Sequence, residues 1–147
     1  MTDTSKDDVA AIQEVAESIY KENNALQLAS TGGVYSPWIL GVYFASIELD
    51  PVLLLETSGK TFKNLQIDKK VAFSISQNDA MKDFAQGSAV AELLDAKDEA
   101  SVRAKLVEKM SWYQTYTPCT PVRLRVKELF VSSFSRQWFP AKVLKLG

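Results

Sequence analysis

Histidine does not occur once in these 147 residues. Its absence removes Ser-His-Asp and Cys-His catalysis, H-E-x-x-H zinc chemistry and histidine-ligated haem in one step. Cysteine is almost as scarce. Cys119 stands alone, so no intrachain disulfide can form, and one thiol without an imidazole is a poor start for a transition-metal site. That count suits a reducing compartment. Carboxylates could still hold magnesium or calcium, but no D-x-D-x-D-G spacing occurs. Cys119 itself, in Thr117-Pro118-Cys119-Thr120-Pro121, reads as a small apolar residue, because no activating partner stands beside it.

An excess of charge of one sign is also lacking. Seventeen basic and 18 acidic side chains leave a formal net charge of −1, which provides no field to gather nucleic acid or anionic lipid. Any anion must be captured locally. No apolar run approaches the ~20 residues that span a bilayer, and the acidic start MTDTSKDDVAA has no apolar stretch of a secretory signal. The expectation is a cytoplasmic protein with neither a membrane nor a nucleic-acid partner. A 46% hydrophobic and 24% charged composition over this length fits one domain, 1–147, with a core of its own. No internal repeat or low-complexity tract interrupts it.

What is present alternates in period. Ser5 followed by Asp8 approximates a capping box, and Val9, Ile12, Val15, Ala16, Ile19 and Tyr20 make one apolar stripe, which predicts a helix over 1–22. Short strands follow at Ala25–Ser30, from about Tyr35 to Ala45, and at Val52–Glu56, with a tight turn at Thr31-Gly32-Gly33. The Val52–Glu56 segment has no polar face, so both of its faces should be covered, and the Val52–Leu55 run with the tryptophan-rich segments exceeds what one small barrel can hide, which predicts a dimer. A short helix over Thr61–Asp68, a strand over Val71–Ser76 and a strand over Phe84–Leu94 come next. Gly87 interrupts the last of these, as a bulge or a close approach by another group would require. Residues 95–113 read as a helix with a Val102, Leu106, Met110, Tyr113 stripe and a solvated face of Asp98, Glu99, Arg103, Lys105, Glu108 and Lys109. Residues 122–147 read as a final strand and tail. With 25–94 as its centre, this order predicts a mainly β protein, an antiparallel sheet curling toward a barrel with flanking helices.

Gly59-Lys60-Thr61 invites comparison with the phosphate loop G-x-x-x-x-G-K-[ST]. Counting back places Leu54, in the middle of an apolar strand, where the first glycine must be. An ATP-using reading therefore rests on three residues alone. A strand ending in Thr57 and Ser58, then Gly59 and a helix carrying Lys60 and Lys63, can still hold a single phosphate through exposed N–H groups, ammonium groups and hydroxyls. The same residues also suit an ordinary strand-to-helix turn with solvated lysines.

Larger stretches bear on that choice. Leu28-Ala29-Ser30-Thr31-Gly32-Gly33-Val34-Tyr35-Ser36-Pro37-Trp38 gives a strand, a glycine turn and a proline. Leu55 to Leu65 gives a strand ending in hydroxyls and a basic helix. Asp68-Lys69-Lys70-Val71-Ala72-Phe73-Ser74 and Ala85-Gln86-Gly87-Ser88-Ala89 follow in order. In these segments the sequence resembles the pyridoxamine 5′-phosphate oxidase-like family of FMN-binding split barrels, well over Ala25–Leu94 and loosely elsewhere. The resemblance implies a homodimer of six-stranded antiparallel split β-barrels with FMN at the subunit interface. It places the phosphate on Thr57, Ser58, Lys60, Thr61 and Lys63 with Asn64 nearby. The flavin ring is implied along Leu40, Gly41 and Val42, with Gln86 and Gly87 reaching it, and Arg136 and Trp138 are candidates to cross into the partner's site.

Departures from the family are informative. Trp38 to Ala45 holds no basic residue and the C-terminal region no histidine, which sets this chain apart from the vitamin oxidase itself. Thr61 stands where several relatives have lysine or histidine, which weakens the clamp. For Trp38, Trp112 and Trp138, packing in a core or interface is the commoner use. The leading expectation is an FMN-dependent oxidoreductase in which the cofactor does the electron chemistry and no catalytic acid or base is nominated. The alternative is a module that binds flavin, deazaflavin or haem without turnover.

Overall fold

The computed structural model describes residues 6–147, so the Ser5 half of the expected capping box lies outside the described residues. Helix α1 (Lys6–Glu22) buries Ile12, Val15, Ala16, Ile19 and Tyr20, the stripe expected from spacing, while Val9 stays exposed. Strands β1 (Ala25–Ser30), β2 (Trp38–Tyr43), β3 (Ala45–Ile47) and β4 (Asp50–Glu56) follow, then the six-residue helix α2 (Lys60–Leu65). Strands β5 (Lys70–Ile75) and β6 (Phe84–Leu93) precede a short 3-10 turn (Ala96–Asp98) and helix α3 (Glu99–Lys109). Strands β7 (Cys119–Ser133) and β8 (Trp138–Lys145) complete the described chain.

All neighbouring strands are antiparallel, in the order β2-β1-β5-β6-β7-β4-β3, with β8 also on β7. The count is eight strands instead of six, for two reasons. The expected second strand breaks after Tyr43, because Phe44 dives into the core edge-on to Tyr20, and the chain resumes as β3 at the far end of the sheet. The tail turns at Phe134–Gln137, with Gln137 in the left-handed region (φ 61°), and returns along β7 as β8. Aromatic residues and Pro140 hide the two-residue period there.

Strand β7 organises the sheet. Its first half pairs with β4 and its second half with β8, while β6 runs along the opposite edge. The β6 ladder shifts register between Ser88 and Ala89, a bulge that bends both strands and helps the sheet curl. At the other side of the curl β2 approaches β4 without ladder hydrogen bonds, which leaves the barrel split along a seam.

Strand β4 is buried on both faces, as its all-apolar sequence requires. Leu53 and Leu55 join the barrel core with Leu28, Phe73, Leu124 and Leu129, whereas Val52 and Leu54 lie against Val102 and Leu106 of α3 and Met110 just after it. The cover for the second face comes from this chain itself, so β4 gives no ground for a dimer. Gly87 faces inward, and a Cβ there would fall 2.3 Å from the Phe73 ring. The close approach expected at this glycine is thus Phe73, and the bulge lies one residue further on.

The charged face of α3 is not simply solvated. Arg103 is bound to Glu99 and donates to Thr115 Oγ1 at 2.9 Å. Lys109 reaches inward and donates to the carbonyls of Tyr20, Asn23 and Phe44 at 3.0, 2.6 and 3.1 Å, with Nζ 3.8 Å from the Phe44 ring centroid. These carbonyls include one at the end of α1, which has no partner within the helix, so Lys109 ties α3 to α1 and to the β2–β3 crossing. Tyr20 donates to the Leu49 carbonyl at 2.9 Å, and burial pushes its phenol pKa up.

Two predictions follow from this packing. Lys109→Met should lower unfolding stability by about 2–4 kcal/mol, since three carbonyls lose a charged donor. Burial pulls the Lys109 pKa from 10.5 down to about 8. Between those pH values the unfolded chain keeps a proton that the folded chain has released, so wild-type stability should rise with pH across this window. Denaturant melts at several pH values should show that rise in the wild type and lose it in Lys109→Met. Gly87→Ala should cost about 1–3 kcal/mol through overpacking, and Phe73→Leu in the same chain should recover part of that loss in urea melts.

Candidate functional site

Strand β4 runs out of apolar residues at Glu56, and the chain then turns sharply into α2. Gly59 N donates to Glu56 O at 2.9 Å, and a Cβ on Gly59 would crowd the same carbonyl at 3.1 Å. Thr57 is anchored to β7, with its N–H on Pro118 O at 3.0 Å and its hydroxyl 2.9 Å from that of Thr120. Ser58 Oγ donates to Glu56 Oε1 at 3.2 Å. Lys63 N donates to Gly59 O at 3.2 Å to open α2, which starts without a side-chain cap.

Across the seam, the turn after β1 is seated on the end of α2. Gly32 adopts φ 100° close against Asp68, where any Cβ would come within 2.7 Å of the Asp68 Cβ. Gly33 lies over Asn64, with its hypothetical Cβ 2.2 Å from Asn64 Oδ1. Thr31 donates to Asp68 Oδ2 at 3.3 Å, and Lys70 N donates to Asp68 Oδ1 at 2.9 Å. The Lys70 N–H and the Thr31 hydroxyl favour the Asp68 anion and hold its pKa below the ordinary carboxylate value. This seating presents Tyr35 and Trp38, an edge-to-face pair with centroids 6.1 Å apart, toward α2. Lys60 Nζ lies 5.2 Å from the Tyr35 ring centroid and 5.3 Å from that of Trp38.

Between these walls is a small pocket of about 200 Å³, lined by Trp38, Leu40, Leu55, Glu56, Gly59, Lys60 and Thr61. Thr61 is only 3% exposed, and its Oγ1 has no hydrogen-bond partner. Asn64 is fully buried; its Nδ2 donates to Ser30 Oγ at 3.2 Å while its Oδ1 is unpartnered. These are the two buried side-chain polar atoms without a partner among the described residues. Such orphans are costly and call for an explanation.

Of the residues expected to bind phosphate, Lys60 and Thr61 share the pocket wall. Ser58 is not among the lining residues and is bound to Glu56; Thr57 is engaged with β7; Lys63 is exposed in the last turn of α2. Asn64 lies beneath the glycine turn and supports it from inside. The P-loop reading ends here, since Leu54 is buried in mid-strand under α3. On β2, Leu40 lines the pocket and Val42 packs on the core, while Gly41 faces the opposite side against Gln27.

Gln86 shares that outer face, in a row running Gly41, Gln27, Ser74, Gln86 across the sheet. Strands β1 and β5 intervene, so Gly41 and Gln86 are about 14 Å apart at the usual strand spacing. Gly87 points into the core, leaving only its backbone for any ligand outside. Arg136 donates to Asp83 at 3.0 Å and lies over the Trp138 ring at 5.8 Å. Both sit beyond the end of β7 remote from Cys119, the partner of Glu56 in the ladder, and could meet the pocket only from another subunit.

Sequence reasoning missed Glu56, Tyr35 and the orphaned state of Thr61. Glu56 was legible as the residue that ends the apolar strand; the aromatic cover on Lys60 depends on the seam and had no local signal.

No protein-family model matches the sequence, and no curated protein matches it. Solved structures do match. A heme-binding protein from Mycobacterium smegmatis superposes with a TM-score of 0.74 at 20% identity, over 91% of this chain and 57% of that one. The chain therefore spans little more than half the length of that neighbour. HutZ, a heme storage protein from Vibrio cholerae, gives 0.66 at 19% identity, over 82% and 94% of the two chains. A provisionally named pyridoxamine 5′-phosphate oxidase from Listeria innocua gives 0.67 at 12% identity, over 81% and 96%. At these identities the likeness is one of fold: the chain has the split β-barrel of pyridoxamine 5′-phosphate oxidase-like proteins. Among the described residues, no helix is long and apolar enough to cross a membrane.

Thr61→Val removes the unpaired hydroxyl at nearly constant shape. It should raise unfolding stability by about 1 kcal/mol, the reverse of the usual loss when a satisfied hydroxyl is deleted. Thermal and urea melts compare the two; a clear loss of stability would mean that Oγ1 has a partner after all.

Proposed function

We propose that this chain binds FMN with its phosphate in the seam pocket and acts, as a homodimer, as an FMN-dependent oxidoreductase. The observation that carries this reading is that Thr61, whose buried hydroxyl has no partner, and Lys60 line the same pocket. A phosphate satisfies both: it accepts from the hydroxyl and pairs with the cation. Lys63, exposed in the last turn of α2, adds positive charge nearby. The residues present therefore fit the phosphate end of a flavin nucleotide. The ring would leave the pocket along β2 at Leu40; Gly41 faces the opposite side of the strand and Val42 packs on the core, so neither shares that surface. When bound, the flavin supplies electron and hydride transfer; the chain supplies binding and orientation.

The outer face supports a dimer on different grounds from β4. Ile39, Gly41 and Tyr43 of β2, Ala72 and Ser74 of β5 and Gln86 of β6 form an uncharged band, with Ile39 63% exposed. A partner on this band could bring a second set of groups to the seam, including Arg136 or Trp138. A deazaflavin nucleotide shares the phosphate and remains the alternative cofactor. A haem-carrying module is favoured by the names of two structural neighbours, but this chain has no histidine to ligate iron.

Titration separates these readings. Lys60→Ala should weaken FMN binding about ten- to a hundredfold, the loss of one charge-assisted contact. Riboflavin, which lacks the phosphate, should bind the variant and the wild type alike. Thermal stability should drop only slightly, because Lys60 contributes no more than an exposed cation–π contact. A variant that keeps full FMN affinity overturns the assignment. Sedimentation should give a dimer at micromolar concentration, and a monomer there removes the homodimer from the proposal.

A further inference from the structure

Lys60 is held by two rings and by no opposite charge. Its Nζ lies 5.2 Å from the Tyr35 ring centroid and 5.3 Å from that of Trp38, within the ~6 Å over which an aromatic face attracts a cation. Among the described residues it enters no ion pair. Trp38 opens β2 on the same face as Leu40 and lines the pocket with it. Tyr35 stands edge-to-face against Trp38, on the turn that Gly32 and Gly33 seat on Asp68 and Asn64. Tyr35 is 39% exposed and is not among the lining residues, so its link to the pocket runs through Lys60 and Trp38.

We propose that Tyr35 is a positioning residue for the phosphate: with Trp38 it holds the Lys60 ammonium beside the pocket wall, so that the cation is in place before the anion arrives. The inference rests on the flavin-phosphate reading and deepens it. A lysine side chain free in solvent gives up many rotamers when a ligand fixes it, and one already gathered on two rings has fewer left to lose. The rings carry no net charge. An ammonium resting on them therefore keeps its attraction for a phosphate, whereas a carboxylate partner would have to be displaced first.

Flavin fluorescence titrations of Tyr35→Leu, which leaves the pocket lining intact, provide the test. FMN should bind this variant about two- to fivefold more weakly than the wild type, the size of one exposed cation–π contact, while riboflavin binds both alike. Tyr35→Phe keeps the ring and should keep wild-type FMN affinity. Once Lys60→Ala has removed the cation, adding Tyr35→Leu should weaken FMN binding no further, because the ring acts only through that ammonium. Unchanged or tighter FMN binding by Tyr35→Leu overturns the inference. So does a loss that persists in the Lys60→Ala background, that Tyr35→Phe shares, or that riboflavin shares. In each of these cases a Lys60→Ala variant that still loses FMN affinity leaves the flavin-phosphate reading in place. A Lys60→Ala variant with full FMN affinity, or a wild-type chain that binds neither flavin, overturns the reading and the inference together.

Discussion

From Val52 to Leu55 strand β4 carries no polar side chain, and the molecule is arranged around hiding both of its faces. One face closes the barrel core. The other requires a second layer, which α3 provides through Val102 and Leu106, with Met110 at its end. Burying four such side chains is worth on the order of 1.5–3 kcal/mol each. Helix α3 must then be held in place, and Lys109 does so by grasping carbonyls of α1 and of the β2–β3 crossing. A half-buried lysine is tolerated there because its ammonium finds three oxygens.

The same strand fixes the site. Where the apolar run ends, at Glu56, the chain emerges beside the seam between β2 and β4, which no ladder joins. The turn through Gly59 feeds α2 across that gap, so Lys60 and Thr61 come to line the seam pocket. Tyr35 and Trp38 close over Lys60 from the other side because Gly32 and Gly33 let the preceding turn lie flat on Asp68 and Asn64. Fold and pocket are thus one construction.

Much of this was legible in the sequence, and the failures share a cause. The stripes of α1 and α3, the strands β1, β4, β5 and β6 and the helix after Gly59 follow from period and turn chemistry, which are local. The resemblance to split-barrel flavoproteins located the β4–α2 junction. What escaped was set by distant contacts. Phe44 ends β2 because Tyr20 waits in the core. Lys109 turns inward because helix ends elsewhere offer carbonyls. β4 needs no second subunit because α3 returns to cover it. Gln86 and Gly41 share a face, yet two strands separate them, a fact that depends on strand order and not on spacing.

The account stands on one contact, a flavin phosphate received by Lys60 and Thr61 in the seam. A crystal structure of the chain grown with FMN tests it most directly. The phosphate should lie within hydrogen-bond distance of Thr61 Oγ1 and Lys60 Nζ, with the ring running along β2 from Leu40. A structure with the flavin seated elsewhere, or with Thr61 Oγ1 still unpaired beside a bound flavin, contradicts it.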